Sequence, residues 1–440
     1  MKKTLLVILA ALLLFTAACS DSGKVQLISD KYPQDNTFHP EYDCPYYLET
    51  TYADNQIAET ENGCYILKDD HLLYMDFDTL VPIPVCAKPE CRHDAETDPE
   101  KRKQCNAYFQ RILLFGGVYY NNDQLYVLHS LFGEKEGTKK LTGSSEKTSY
   151  QLTRLSTDGT TRKTACIIEF PFGSGTIGYS CIHRGTFYCV QQMYNENGMA
   201  HDEIWAYSLD NQRKEPQQIY TSELKDTRSN IIQNLYAFGN YLYWEEFVRN
   251  ESTGVAENRN FVLDLVTGES SEFLPPEGTR YINNFIVNGS LFSYYTPLDS
   301  SGQTTESGAV IMDKYLYKSD LTGNDATMLG NHPCGIVTAD EQYIYMGEPI
   351  IGKPTAEQKL SIYDHELNLI DTISYEGLYA PETKYAECDF FPLSGEKIIL
   401  KTFEKGISTY YCFDRTEIGT GNIVPQPFLQ YSEESTVYFE

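Results

Sequence analysis

Three cysteines and a histidine lie close together in the stretch Cys86-Ala87-Lys88-Pro89-Glu90-Cys91-Arg92-His93 and the following Cys105. Thiolate and imidazole ligands of this number suit a tetrahedral Cys3His site, closed and structural, with zinc as the natural occupant. Pro84 and Pro89 favour the turns such a knuckle needs. The spacings C-x4-C and H-x11-C match no standard finger pattern, and cysteines of an exported chain commonly pair as disulfides. A zinc knuckle of Cys86, Cys91, His93 and Cys105, a disulfide-stapled loop and unliganded thiols all stay open on the residues alone. A second pair, Cys181 and Cys189, flanks a tight turn at His183-Arg184-Gly185. A bridge across one hairpin would fit there, and so would two buried thiols.

Other chemistry-bearing patterns are sparse. Gly173-Ser174-Gly175-Thr176-Ile177-Gly178 has the form G-x-G-x-x-G. That fingerprint needs a strand before it and a helix after it. Here Tyr179–Ile182 runs straight into a hairpin strand, so the stretch reads as a connecting loop. The sequence holds no G-x-S-x-G elbow, P-loop, H-E-x-x-H pair or EF-hand loop. His71, His129, His201, His332 and His365 are isolated from one another. Each reads as a loop or partly buried side chain, and no catalytic residue is assigned. Carboxylates are plentiful, but a hydrolytic pair must converge in space, which spacing does not show.

The elements that must position these residues begin after a leader. Lys2 and Lys3 precede an apolar run from Leu5 to Phe15, then Thr16, Ala17, Ala18 and Cys19. That is a secretory signal with small residues at its cleavage point. The run is too short for a comfortable transmembrane helix, which takes about 20 residues. Thr-Ala-Ala-Cys resembles the lipobox of bacterial lipoproteins, although Thr16 replaces the usual leucine. The resemblance implies cleavage after Ala18, acylation of Cys19 with palmitate-type chains, and a lipid-anchored location on the extracytoplasmic face of the cell membrane. Two acyl chains hold a protein on a bilayer stably, at about 0.8 kcal/mol per buried CH2.

The chain of 440 residues carries a formal charge of −27. Its acids are scattered rather than blocked, and such a surface repels nucleic acid and anionic lipid. Nucleic acid is therefore excluded as a partner. The 35 tyrosines, with Phe, Val, Ile and Thr, point to strands. Helical periodicity is hard to find beyond the leader.

A short unit recurs: a turn with Gly, Asn or Asp, then a run of aromatic and branched residues. It appears at Asn62-Gly63, Asn122-Asp123, Arg184-Gly185, Gly239-Asn240, Asn288-Gly289, Asp340-Glu341 and Ser394-Gly395, spaced by 50 to 62 residues. Each copy is followed, after a variable insert, by a second strand and turn, such as Ile204–Asn211 or Tyr315–Gly323. Four antiparallel strands per repeat of this length are the signature of a propeller blade. The expected fold is all-β: a β-propeller, most simply of seven blades, with six or eight also compatible and paired β-sandwiches as the competitor. The expected organisation is a signal peptide at 1–18, a lipid-anchored tether and ring-closing strand at 19–54, and a propeller at 55–440 with a Cys/His insert at 86–105. The last strand could instead come from Ser435–Phe439. Over roughly residues 55–434 the pattern resembles surface lipoproteins of Gram-positive bacteria with a propeller of the low-density-lipoprotein-receptor-like type, a family mostly without assigned function.

These readings lead to three functional expectations. The first is a membrane-anchored binding or scaffolding propeller for an unknown protein or carbohydrate ligand. Its loops at Phe132–Thr148, Tyr194–Asp202, Asn250–Asn260 and Pro297–Asp313 would be the partner face. The second is an extracytoplasmic enzyme acting on polysaccharide or peptide in the funnel, with perturbed carboxylates, histidines or arginines drawn from several blades. The third is a metal or redox sensor at the cysteine cluster. No cofactor is expected beyond a structural zinc.

Overall fold

In each repeat the second strand is apolar at successive positions, which demands burial on both faces. A computed structural model of the chain supplies it. It describes residues 27–44, 57–68, 70–109, 117–131, 148–170, 175–194, 200–210, 214–222, 230–249, 256–298, 303–304, 310–311, 314–331, 337–347, 358–379, 387–392, 395–432 and 436–438. Gly63–Lys68 and Ile344–Gly347 are buried at every position, whereas the outermost strands Gln217–Thr221 and Thr327–Asn331 are half-buried or exposed.

The strands form seven four-stranded antiparallel sheets, each drawn from one stretch of chain. Blades 1 to 7 occupy residues 57–84, 118–170, 175–221, 230–273, 279–331, 337–374 and 387–432. This is the expected propeller, with seven blades. Blade 5 carries a two-stranded ribbon, Gln303–Thr304 with Val310–Ile311. Blade 7 carries a fifth strand, Thr436–Tyr438, on Gln426–Ser432.

The recurring turn lies between the first and second strands of each blade. Tight hairpins of this kind need positive φ. Asn122 and Asp123 (51° and 57°), Arg184 and Gly185 (45° and 72°), and Asn288 and Gly289 (46° and 68°) supply it.

The apolar side chains do not collect in one core. They form seven buried clusters among the described residues, one at each interface between neighbouring blades. The ring closes by packing of this kind. Ile57, Ile66 and Met75 of blade 1 meet Phe391, Ile399 and Tyr410 of blade 7. The Gly395 N–H donates to Glu59 Oε1 at 2.7 Å across the same seam. Both blades are built from their own consecutive strands.

Residues 27–44 form no strand. They run as a strap over the first turns of blades 2, 3 and 4, held by Asn122 N to Glu41 O (2.7 Å), Arg184 N to Tyr42 O (2.6 Å) and Asn240 N to Asn36 Oδ1 (3.0 Å). Phe38, Pro40 and Asp43 of the strap enclose a cavity of about 30 Å³ against Ala58, Tyr119 and Ile182 of the first strands of blades 1 to 3. The strap thereby covers the inner strands on that face. Cys19 and the leader lie outside the described residues, as does 45–56. No helix among the described residues is long and apolar enough to cross a membrane.

Candidate metal centre

After the last strand of blade 1, Pro82–Pro84, the chain loops out and returns to blade 2. The loop is built from short capped turns. Cys91 N–H donates to Lys88 O (3.1 Å), closing the turn that contains Pro89. His93 sits at φ 52° and opens a 3-10 turn to Ala95. A helical turn, Pro99–Arg102, has Pro at its first position and Asp98 as N-cap, whose Oδ1 accepts from Glu100 N at 3.0 Å. The Arg102 guanidinium folds back onto Glu96 O at 2.8 Å, and Cys105 N–H donates to Arg102 O at 3.0 Å.

These turns converge the four sequence-predicted ligands. One donor atom from each of Cys86, Cys91, His93 and Cys105 lies within 4.8 Å of all the others. Cys105 Sγ and His93 Nδ1 are 3.7 Å apart. Around a tetrahedral zinc, with Zn–S near 2.3 Å and Zn–N near 2.0–2.1 Å, ligand atoms stand about 3.5–3.8 Å from one another. The cluster therefore needs a contraction of about 1 Å at most to close on an ion. All four positions would be protein ligands, which is the structural kind of site rather than the catalytic kind.

The surroundings fit a ligand set carrying net negative charge. The backbone N–H of Asn106 points at Cys86 Sγ, 3.4 Å away. Burial pushes the Cys86 thiol up, but N–H donors from Lys88 and Asn106 outweigh it and leave the thiol below its ordinary value. Burial pushes Cys105 up to about 12. A cleft of about 510 Å³ beside Cys105 is bordered by Lys88, Lys103, Arg162 and Lys163, a cationic patch on an otherwise acidic protein.

Blade 2 anchors the loop. Asn106 Nδ2 donates to Gly159 O (2.8 Å), and Arg162 Nη1 donates to Tyr108 O (2.6 Å) with its guanidinium 4.3 Å above the Phe109 ring. Gly159, at φ 69°, passes so close to the loop root that a Cβ would stand 2.6 Å from the Val85 carbonyl. Only glycine meets both demands.

Cys181 and Cys189 are not brought together. In the hairpin Cys181 stands opposite Tyr188, and Cys189 opposite Ser180. Their side chains enter different clusters, Cys181 toward blade 4 and the strap, Cys189 toward blade 2. A one-residue offset across a hairpin flips a side chain to the other face, so the cross-strand bridge is not formed. Gly175–Gly178 of the G-x-G-x-x-G stretch lie inside the strand Gly175–His183 rather than in a connecting loop, and residues 173–174 are outside the described residues. His71 lies against Tyr108, His129 bonds Thr153 and His201 bonds Glu203, so the described histidines stay dispersed. Most of the four long inserts fall outside the described residues.

The sequence reading missed three buried groups. Arg184, fully buried, pairs with Asp43 through Nε to Oδ1 (2.8 Å) and also reaches Pro33 O (2.7 Å) on the strap. Its only signal was an arginine where other copies of the turn carry Asn, Gly, Asp or Ser. Asp202 (blade 3) and Glu245 (blade 4) are acids that burial pushes up, to about 6 and about 7. Asp202 Oδ2 accepts the Ile232 N–H (2.7 Å), and Glu245 accepts from Gln233 (3.0 Å) and Asn234 (2.8 Å). Both stand directly behind the inner strand of blade 4, Asn230–Phe238.

No family profile and no curated protein matches the sequence. Solved structures do. A puromycin hydrolase mutant complexed with PGG superposes with a TM-score of 0.52 at 10% identity, over 91% of this chain and 57% of that one. The β-propeller domain of the Trilobed protease from Pyrococcus furiosus gives 0.45 at 14% identity, over 73% of this chain and 91% of that one. The Pyrococcus horikoshii acylaminoacyl peptidase gives 0.41 at 14% identity, over 80% and 48%. This chain thus spans about half the length of the whole enzymes it is similar to. At such identities the likeness establishes the fold, a seven-bladed propeller of the shape carried by peptidases. On this finding the first functional expectation, a membrane-anchored binding or scaffolding propeller for an unknown ligand, is corrected: the propellers it is similar to belong to peptidases.

Proposed function

We propose that the chain serves peptide hydrolysis at the outer face of a membrane, as a propeller that admits peptides to its central channel. One observation carries this reading: its fold follows puromycin hydrolase over 91% of its length. The strap packs against the first strands of blades 1 to 3. Asp202 and Glu245, buried behind the inner strand of blade 4, have carboxyls that burial pushes up to about 6 and about 7. The location rests on the Lys2–Cys19 leader, with the mature chain tethered through acylated Cys19.

The loop at 86–105 is in this reading a structural zinc knuckle. It fixes the junction of blades 1 and 2 and takes no part in chemistry.

The test is incubation of the mature protein with proline-containing and N-acylated peptides, followed by mass spectrometry and calorimetry. Cleavage, or saturable binding with Kd between roughly 1 µM and 1 mM, is expected. Intact peptides with no heat of binding, on a protein that still melts cooperatively, would sink the proposal. In the native host, Cys19→Ala is expected to move the protein from the membrane to the soluble fraction.

A further inference from the structure

Cys181, freed from the hairpin bridge, has a different neighbour. It sits on the first strand of blade 3, Gly175–His183, with its side chain in the cluster between blades 3 and 4. The end of the strap docks on this strand at two points. Arg184 N–H donates to Tyr42 O (2.6 Å), and Cys44 N–H donates to His183 Nδ1 (3.0 Å). His183 Nε2 is 2.7 Å from Gly239 O and so donates to it. Both ring nitrogens are therefore committed, the ring is neutral, and it cannot also ligate a metal. These bonds fix the separation of the two backbones at the level of Cys44 and Cys181. Both residues are almost fully buried, at 1% and 0% exposed, in one cluster with Leu27, Tyr32, Tyr188 and Trp244, and the neighbouring Cys44 thiol adds to burial in pushing the Cys181 thiol up.

We propose that Cys44 and Cys181 form a disulfide that staples the strap to blade 3. The two thiols give up two protons and two electrons to an oxidant of the disulfide class. That oxidant, oxidised glutathione or a thiol–disulfide oxidoreductase, leaves as two thiols, and the Sγ–Sγ bond forms. The extracytoplasmic location proposed above supplies an oxidising compartment, but the chemistry does not depend on it. Because neither sulfur reaches solvent, the bond forms as the strap docks during folding and resists reductants afterwards. A link between positions 44 and 181 closes a loop long enough for the unfolded chain to lose substantial entropy. The staple also holds the end of the strap against the first strand of blade 3.

The test is refolding of the mature protein with either oxidised glutathione or excess reductant, followed by alkylation in denaturant and peptide mapping. Oxidised refolding is expected to give a linked peptide pair containing Cys44 and Cys181, lost on reduction. The melting temperature should rise by about 5 °C over the reduced form. In Cys44→Ala, Cys181 should be alkylated and the difference between oxidised and reduced forms should vanish. A Cys44→Val, Cys181→Val double variant serves the same end if the single change disturbs folding. Full alkylation of both residues after oxidised refolding, or a link from Cys181 to any other cysteine, would overturn the proposal. None of these outcomes depends on membrane location or peptide hydrolysis.

Discussion

Two regions combine cysteine and histidine, and they use them in opposite ways. In the knuckle at 86–105 four donor atoms point at one another from turns on a loop, and three of the four residues are only half-buried. At the strap, Cys44, Cys181 and His183 are all buried, but the ring's nitrogens are taken by a backbone N–H and a carbonyl. The thiols there face apolar side chains, and the one charge, Arg184, is answered by Asp43 and strap carbonyls. Residue type thus sets what chemistry is available, while convergence and hydrogen-bond commitment decide which is used. An open donor set suits an ion, and a committed histidine beside two thiols suits a covalent link.

The largest test of this contrast is Arg184→Ala. It leaves Asp43 buried and unpaired, a loss of about 3–5 kcal/mol. Chemical denaturation should show it, with proteolysis beginning in the strap. The same change should leave metal binding at the knuckle intact.

Metal removal is the converse. The purified mature chain should contain one zinc per molecule. Chelation, or a Cys91→Ala, His93→Ala double change, should speed proteolysis within 86–105 about tenfold by releasing about 1.4 kcal/mol of local stability. The propeller itself should stay folded. Absence of metal, with thiols appearing only after reduction, would make the cluster a disulfide-stapled loop and erase the contrast.

Acidification separates the two through different groups. At the knuckle, protons compete with metal for the thiolates, so zinc should be released as pH falls. At the strap, burial holds His183 below its ordinary value, with Asp43 only partly opposing. The unfolded chain then binds a proton that the folded chain refuses, so stability is lost as pH falls through about 6.5 and below. Fluorescence of Trp244, in the same cluster, should report that change separately from zinc release.

A smaller effect is expected at Gly159→Ala, about 1–3 kcal/mol, because the residue meets the Val85 carbonyl at a left-handed φ. Weakened zinc affinity without global unfolding would tie the blade 2 turn to the knuckle.

Much of the fold was legible in the chain. Asn122-Asp123 and Asn288-Gly289 announce hairpins because few residues tolerate positive φ, and runs such as Tyr241–Trp244 announce burial by being apolar at every position. The four knuckle residues were legible too, since they lie within twenty positions and their turns are local. The strap was not. Asp35 to Cys44 carry no periodicity, and their partners in the blades are about 80 to 200 residues away. The Cys181–Cys189 expectation failed because proximity in sequence does not reveal register.

The sequence by itself determined a propeller of repeated blades, seven being the simplest count, and one donor cluster, because period, turn chemistry and short-range spacing are local properties of the chain. Only the tertiary structure decided that Cys181 faces Cys44, that Arg184 answers Asp43, and that the strap covers the inner strands of blades 1 to 3. Those outcomes depend on which face of a strand a side chain takes and which distant segment packs there, and no local pattern encodes either.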